Sequence, residues 1–295
     1  MTDRKTYIWG AAKYGKRALD FCEKKFNIVG FVDKRADDNF KEFCSFPVIS
    51  PSQFFSMGSE FDLIIAIMYP AEILDVVSGL SNVYIFDGRN SDDLLLYEVK
   101  NHEISCPEYS DKRYKEWEPY HEHYNNQDPS ILNIFSTALE YIKKMPTPKI
   151  IEIGCGSGLF ANMLFDNGFE DYLGIDFSPE AIRLAQTACP CYSDKFICCD
   201  AFEYLELCSQ NDKAIYALFE VLEHIYKDIE LVNMLPSGSN IIFSVPNFKS
   251  FNHVRTFDNL QQITDRYYML NINQYYKIHG ERSDIIYHLI NATKV

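Results

Sequence analysis

The chain has 295 residues, 47% of them hydrophobic and 24% charged, enough apolar material for one large core or two ordinary ones. Its 28 Lys and Arg against 42 Asp and Glu give a formal net charge of -14, and no basic run breaks this acidic field, so no long nucleic acid is expected as a partner. No stretch of 18 or more apolar residues predicts a membrane helix, residues 1–10 lack a signal-peptide core, and the nine Cys form no C-x-x-C pair. These features predict a cytoplasmic protein with reduced thiols and no membrane insertion.

Tyr7-Ile8-Trp9 is a short apolar run ending at Gly10, and helical spacing follows through Tyr14, Ala18, Phe21 and Cys22. Further strands are expected at 27–33, 62–67 and 83–86. Alternating strands and helices predict a parallel sheet covered on both faces. The turn Gly10-Ala11-Ala12-Lys13-Tyr14-Gly15 reads G-x-A-x-x-G, and Asp33 closes the next strand 23 residues after Gly10. That is dinucleotide-fold spacing with Ala in place of one Gly. No Tyr-x-x-x-Lys follows, so ligand docking ranks ahead of hydride transfer, with a purely structural or dimerising role as the alternative.

Residues 88–128 lose this rhythm and are rich in Tyr, His, Glu and Asp. A bridge is expected here, with helix around 111–117. Its aromatic cluster of Trp117, Tyr120, His121, His123 and Tyr124 is expected to pack between the domains, with a lid over the ligand as the alternative that a family resemblance implies. Helical spacing returns over 129–145 through Ile131, Ile134, Phe135, Leu139, Tyr141 and Ile142. A second alternating unit then places strands at 149–153, 171–175, 195–199, 214–219 and 240–245. Two last strands, 268–278 and 284–294, flank Gly280-Glu281-Arg282. The expected fold is α/β, with two doubly wound domains at 1–88 and 129–295 joined by the 89–128 bridge. The second domain ends in an antiparallel hairpin on an otherwise parallel sheet.

The second domain carries the clearer chemistry. Ile150-Ile151-Glu152-Ile153-Gly154-Cys155-Gly156-Ser157-Gly158 is a strand running into a glycine-rich turn. Gly154 and Gly156 let the backbone bend and approach a ligand, and Gly158 allows close packing where the next helix begins. Asp176 ends the following strand, 22 residues beyond Gly154, the distance expected for a carboxylate that grips a ribose diol. Asp200 ends the third strand, where a side chain reaches an adenine amino group. Further on, Phe219-Glu220-Val221-Leu222-Glu223-His224 follows the fourth strand and is expected to open a helix with Glu220, Glu223 and His224 on one face. Ser244-Val245-Pro246-Asn247-Phe248 and Phe251-Asn252-His253-Val254-Arg255 come after the fifth strand. Glu220, Glu223, His224 and His253 therefore make a candidate hard-cation site for Mn²⁺ or Mg²⁺. The alternative is metal-free, with His224 or His253 as general base. Arg255 suits either a substrate phosphate or a structural acid.

The E-x-G-x-G-x-G turn from Glu152 to Gly158, followed in order by Asp176 and Asp200, resembles the class I S-adenosylmethionine-dependent methyltransferases over about residues 130–295. The resemblance implies a seven-stranded sheet with a terminal hairpin. It also implies S-adenosylmethionine held by Glu152, Gly154, Cys155, Gly156, Gly158, Asp176, Phe177, Asp200 and Ala201. The E-x-x-E-H and later His resemble metal-dependent 2'-O-methyltransferases of small-RNA 3' ends. The E-V-x-E-H form is also similar to ubiquinone-pathway O-methyltransferases. The stretch from Ser244 to Phe257 resembles methyltransferases found with bacterial surface-polysaccharide genes, which implies a sugar, sugar-nucleotide or sugar-phosphate acceptor. The segment to about Ile67, with Gly30-Phe31-Val32-Asp33 and Pro47-Val48-Ile49-Ser50-Pro51, resembles the N-terminal nucleotide-sugar-binding domain of bacterial sugar acetyltransferases. Methylation at nitrogen or carbon in natural-product assembly, and a non-catalytic nucleotide-sugar-binding protein, are the competing expectations.

Overall fold

The computed structural model describes residues 4–74, 76–89, 94–99, 106–116, 118–145, 149–207 and 214–295. The chain forms two compact units, Met1–Cys106 with Ser250–Val254, and Pro107–Lys249 with Arg255–Val295.

The first unit runs β1 (Lys5–Trp9), α1 (Lys13–Cys22), β2 (Asn27–Val32), β3 (Glu42–Phe43), β4 (Phe46–Ile49), α2 (Pro51–Ser56), β5 (Asp62–Ile65), α3 (Ala71–Leu74), β6 (Val83–Asp87) and β7 (Leu95–Glu98). Its sheet has the order β3-β4-β2-β1-β5-β6-β7, parallel through β4, β2, β1, β5 and β6. Helix α1 buries Gly15, Ala18, Leu19 and Cys22, one stripe at helical spacing. Three strands go beyond the sequence reading. The hairpin β3-β4 turns through Cys44 and Ser45, both at positive φ, without the Gly or Asn that would have advertised it. Strand β7 is four residues long and pairs antiparallel with β6 at the sheet edge. The stretch read as a bridge is thus divided: β7 completes the first sheet, and Pro107–Glu116 opens the second unit as a helix.

The second unit runs α4 (Pro107–Glu116), α5 (Pro129–Ile142), β8 (Ile150–Ile153), α6 (Leu159–Asp166), β9 (Tyr172–Asp176), α7 (Pro179–Ala188), β10 (Phe196–Cys198), α8 (Ala201–Leu207), β11 (Ile215–Phe219), α9 (Asp228–Met234), β12 (Asn240–Pro246), α10 (Leu260–Arg266), β13 (Leu270–His279) and β14 (Ile286–Lys294). Seven strands lie in the order β10-β9-β8-β11-β12-β14-β13. The first five are parallel, and β14 and β13 close the sheet as an antiparallel hairpin. This is the mixed α/β architecture expected from the sequence. Strand β8 is buried along its whole length, as a central parallel strand covered on both faces should be. Strand order reverses between β8 and β11, and the crevice outside their carboxyl ends is where an open α/β sheet binds its ligand. Among the described residues no helix is long and apolar enough to cross a membrane.

Candidate functional site

Strand β8 delivers the glycine turn to that crevice. Gly154 and Gly156 sit at φ of 73° and 55°, which L side chains avoid. A Cβ on Gly154 would stand 2.5 Å from Cγ2 of Val221, and one on Gly156 2.9 Å from the Tyr114 hydroxyl. Beside the turn, the buried Asp176 accepts the Gly156 N–H at 3.0 Å and the Ser178 N–H at 2.9 Å. Burial pushes its carboxyl up to about 6 against the pull of those two donors. Glu152 is buried beneath the turn and accepts the Tyr172 hydroxyl at 2.5 Å, and burial pushes it up to about 8. Cys155 is buried, with its thiol held protonated by desolvation. The half-buried Phe177 turns its carbonyl to the Cys198 thiol at 3.7 Å. Asp200 is exposed and caps α8, accepting the Phe202 N–H at 2.8 Å and the Glu203 N–H at 3.3 Å just past Ala201.

Two residues of α4 join this site without having been singled out in the sequence. Asp111 accepts the Ser178 hydroxyl at 2.5 Å and the Glu180 N–H at 3.2 Å, pinning α4 to the start of α7. Tyr114, one turn later on the same face, sets its hydroxyl against the glycine turn, with its ring centroid 4.5 Å from that of Tyr120. Their i, i+3 spacing was the available signal. The cluster expected in this region is split. Tyr120 and His121 belong with Tyr114, while Tyr124 donates to Asp166 at 2.8 Å and lies tilted against His123, ring centroids 4.2 Å apart. Trp117 lies outside the described residues.

The other wall follows β11. Glu220 has a φ of 54°, so its backbone leaves helical space at once, and residues 220–227 form turns. This corrects the expectation of a helix opening at Glu220: helix α9 begins at Asp228. The carboxylates still come together. Ser244 Oγ accepts the Glu220 N–H at 3.0 Å and donates to Glu220 Oε1 at 2.8 Å. Glu223 is wholly buried, His224 Nε2 lies 3.8 Å from its Oε1, and neither of its oxygens meets a hydrogen-bond donor in good geometry. Burial pushes Glu220 up to about 7, and burial together with the Glu220 charge pushes Glu223 well above the ordinary carboxyl range.

Arg255 holds this turn in place. Its Nη1 donates to the carbonyls of Leu222 and Ile225, each at 2.5 Å, and its Nη2 to that of Tyr226 at 2.9 Å. It also pairs with the fully buried Asp228 at 3.2 Å. Asp228 in turn accepts from Arg266 Nε and Nη2 and from the Tyr267 hydroxyl. Of the two roles open for Arg255, these contacts are those of the structural one. His253 lies in Ser250–Val254, the segment grouped with the first unit, whereas Glu220, Glu223 and His224 belong to the second. In the first unit, Asp33 accepts the Ala11 N–H at 3.0 Å and pairs with Arg35 at 2.7 Å. The Arg35 hydrogen bond brings its carboxyl down to about 2.

Residues 150–236 match the model of a methyltransferase domain family. No curated protein sequence matches the chain. Among solved structures, the N-methyltransferase NodS of Bradyrhizobium japonicum WM9, in complex with S-adenosyl-l-homocysteine, is similar at 17% identity over 63% of this chain and 97% of its own, with a TM-score of 0.49. Magnesium protoporphyrin IX methyltransferase of Synechocystis PCC 6803, with bound S-adenosylmethionine, is similar at 14% identity over 66% of this chain and 100% of its own, with a TM-score of 0.48. The PH0226 protein of Pyrococcus horikoshii OT3 is similar at 16% identity over 62% of this chain and 99% of its own, with a TM-score of 0.48.

Proposed function

We propose that this S-adenosylmethionine-dependent methyltransferase acts on a hydroxyl of a sugar, sugar nucleotide or sugar phosphate in bacterial surface-polysaccharide synthesis. The observation that carries the reading is the juxtaposition of two walls: the Glu220–His224 turn abuts the donor turn through Val221 on Gly154. The site fits the donor on its own evidence. A side chain at Gly154 or Gly156 would fill the cradle, and Asp176 supplies a buried carboxylate beside it. Asp176 would hold the ribose hydroxyls, the 154–158 turn the methionine portion, and Asp200 with Ala201 the adenine. When bound, S-adenosylmethionine supplies an electrophilic methyl group.

A sugar hydroxyl ionises far above neutrality, so the chain must take its proton as attack proceeds. In this reading His224 is the base. Glu223, 3.8 Å away, and Glu220, fixed by Ser244, orient its imidazole. We favour this metal-free reading over a divalent cation on Glu220, Glu223, His224 and His253. The first unit, with its G-x-A-x-x-G turn, is assigned nucleotide-sugar docking in its own right, with a structural or dimerising role as the alternative.

Labelled donor, screened against nucleotide-sugars and glycan precursors with and without EDTA, tests the whole reading. Methyl transfer to a sugar hydroxyl that persists in EDTA and is lost in His224→Ala is the expected result. Turnover that needs Mn²⁺ and is lost in both Glu220→Ala and His253→Ala would establish the cation mechanism instead. Transfer only to nitrogen or carbon acceptors would replace the sugar-hydroxyl assignment.

A further inference from the structure

Pro246 and Phe257 are the two ends of a closed loop. The Phe257 N–H donates to the Pro246 carbonyl at 3.0 Å, and the Phe257 ring is buried in the core of the second unit. Asn247 fixes the outgoing limb. Its N–H donates to the Ile286 carbonyl and its side-chain amide to the Asp284 carbonyl, each at 2.9 Å, and its Oδ1 accepts the Ile286 N–H at 2.8 Å. The tip of the loop, Ser250–Val254, belongs to the first unit. There Phe251 is buried, with the Arg89 guanidinium 4.1 Å from its ring centroid. Arg89 is itself aimed by Asp87, which accepts its Nε at 2.9 Å and its Nη2 at 2.7 Å. Arg17 of α1 donates to the carbonyls of Gly88 and Arg89 and so braces the same segment. A buried ring under a fixed guanidinium is a firm attachment, because ring burial and the cation–π contact act together.

The returning limb begins at Arg255, the residue next after the tip. Its Cα therefore lies only about 3.8 Å from that of Val254. Arg255 is also the group that holds the chain after Glu220, through the carbonyls of Leu222, Ile225 and Tyr226. That chain starts at a non-glycine residue in left-handed space. A turn of this kind keeps its shape only while its surroundings over-determine it. A displacement of Val254 carries Arg255 with it, and the three carbonyls then lose their donor.

We propose that Phe251, held under the Arg89 guanidinium, is a positioning residue for the Glu220–His224 turn, so that the first unit takes part in methyl transfer through the 246–257 loop. Phe251 acts through Arg255 and touches no reactant. The inference rests on the reading of that turn as the wall that receives the acceptor.

Hydrogen exchange on the full chain, followed by mass spectrometry, tests it in the wild type, Arg89→Ala, Phe251→Ala and Phe251→Leu. Exchange over residues 220–228 is expected to rise about tenfold in Phe251→Ala, by less in Arg89→Ala, and to return toward wild type in Phe251→Leu, which refills the buried volume. The β1 and β5 amides should not change, and S-adenosylhomocysteine should bind to within about threefold of wild type, which reports an intact donor site. With the acceptor returned by the labelled-donor screen, Arg89→Ala should lower kcat while the donor KM holds. Extra exchange confined to 250–254, with 220–228 as in wild type, overturns the anchor. So does an unchanged kcat in a variant whose turn exchanges faster. If Phe251→Ala loosens the first sheet as well, Arg89→Ala, which removes an exposed side chain, decides alone. His224→Ala judges the reading of the turn separately. Full activity in that variant would overturn His224 as the base while a coupled exchange kept the anchor.

Discussion

Asp176 is where one side chain has the most to lose. Its carboxylate already orients Gly156 and Ser178, and in the proposed function it also accepts two ribose hydroxyls. Charge-assisted bonds of this kind are worth about 1.5–3 kcal/mol, so Asp176→Ala should weaken S-adenosylhomocysteine binding by about tenfold or more. The same residue gives binding a pH dependence. Burial raises the empty-site carboxyl to about 6, and the ribose bonds need the ionised form. Affinity should therefore be flat above pH ~6 and fall about tenfold per unit below it, as a proton must first be lost. Titrations across that range in the wild type and in Asp176→Asn, which should lose the dependence, check this.

At the scale of elements, much was legible in the sequence and some was not. The glycine turn, Asp176 at a strand end and the succession of strands along the chain announced themselves because parallel strands and their terminal turns are local patterns. The chain from Glu220 to Tyr226 did not. Its E-x-x-E-H spacing imitates a helix face, but the left-handed backbone at Glu220 and the Arg255 grip on three carbonyls make it a turn. That grip joins residues about thirty positions apart, which no window along the sequence can see. The Arg255–Asp228–Arg266–Tyr267 knot also anchors the start of α9. Asp228→Ala would leave two guanidinium groups without their carboxylate and should lower unfolding stability by about 3–5 kcal/mol, measured by denaturant titration. On the opposite wall, Gly154→Ala must place a methyl against Val221 at a left-handed φ, and should lower stability by about 1–2 kcal/mol and abolish donor binding.

For the molecule as a whole, the buried Glu152 sets a limit on alkaline stability. Its carboxyl is raised in the folded state to about 8 from an ordinary value of 4.5. The folded chain therefore keeps a proton that the unfolded chain gives up. That contribution is complete below pH 4.5, declines as pH rises, and is gone above pH 8. Glu152→Gln should remove the decline, so its melting temperature should exceed that of the wild type at pH ~8.5, with the difference shrinking toward pH ~5. A mutant that melts in parallel with the wild type at every pH would show that Glu152 is not the group responsible.

The chain's brief return to its first unit affects how the protein can be dissected. Ser250–Val254 leaves the second unit and comes back, and it carries Phe251, only 3% exposed, with the Arg89 guanidinium 4.1 Å from its ring. Cutting at residue 106 therefore gives no clean excision: fragment 107–295 keeps this five-residue loop but loses Arg89. Expressed alone, the fragment should be prone to self-association, and Phe251→Ser should make it more soluble than the unaltered fragment, as gel filtration would reveal. Anyone grafting the second unit onto another partner must redesign the loop along with the break point.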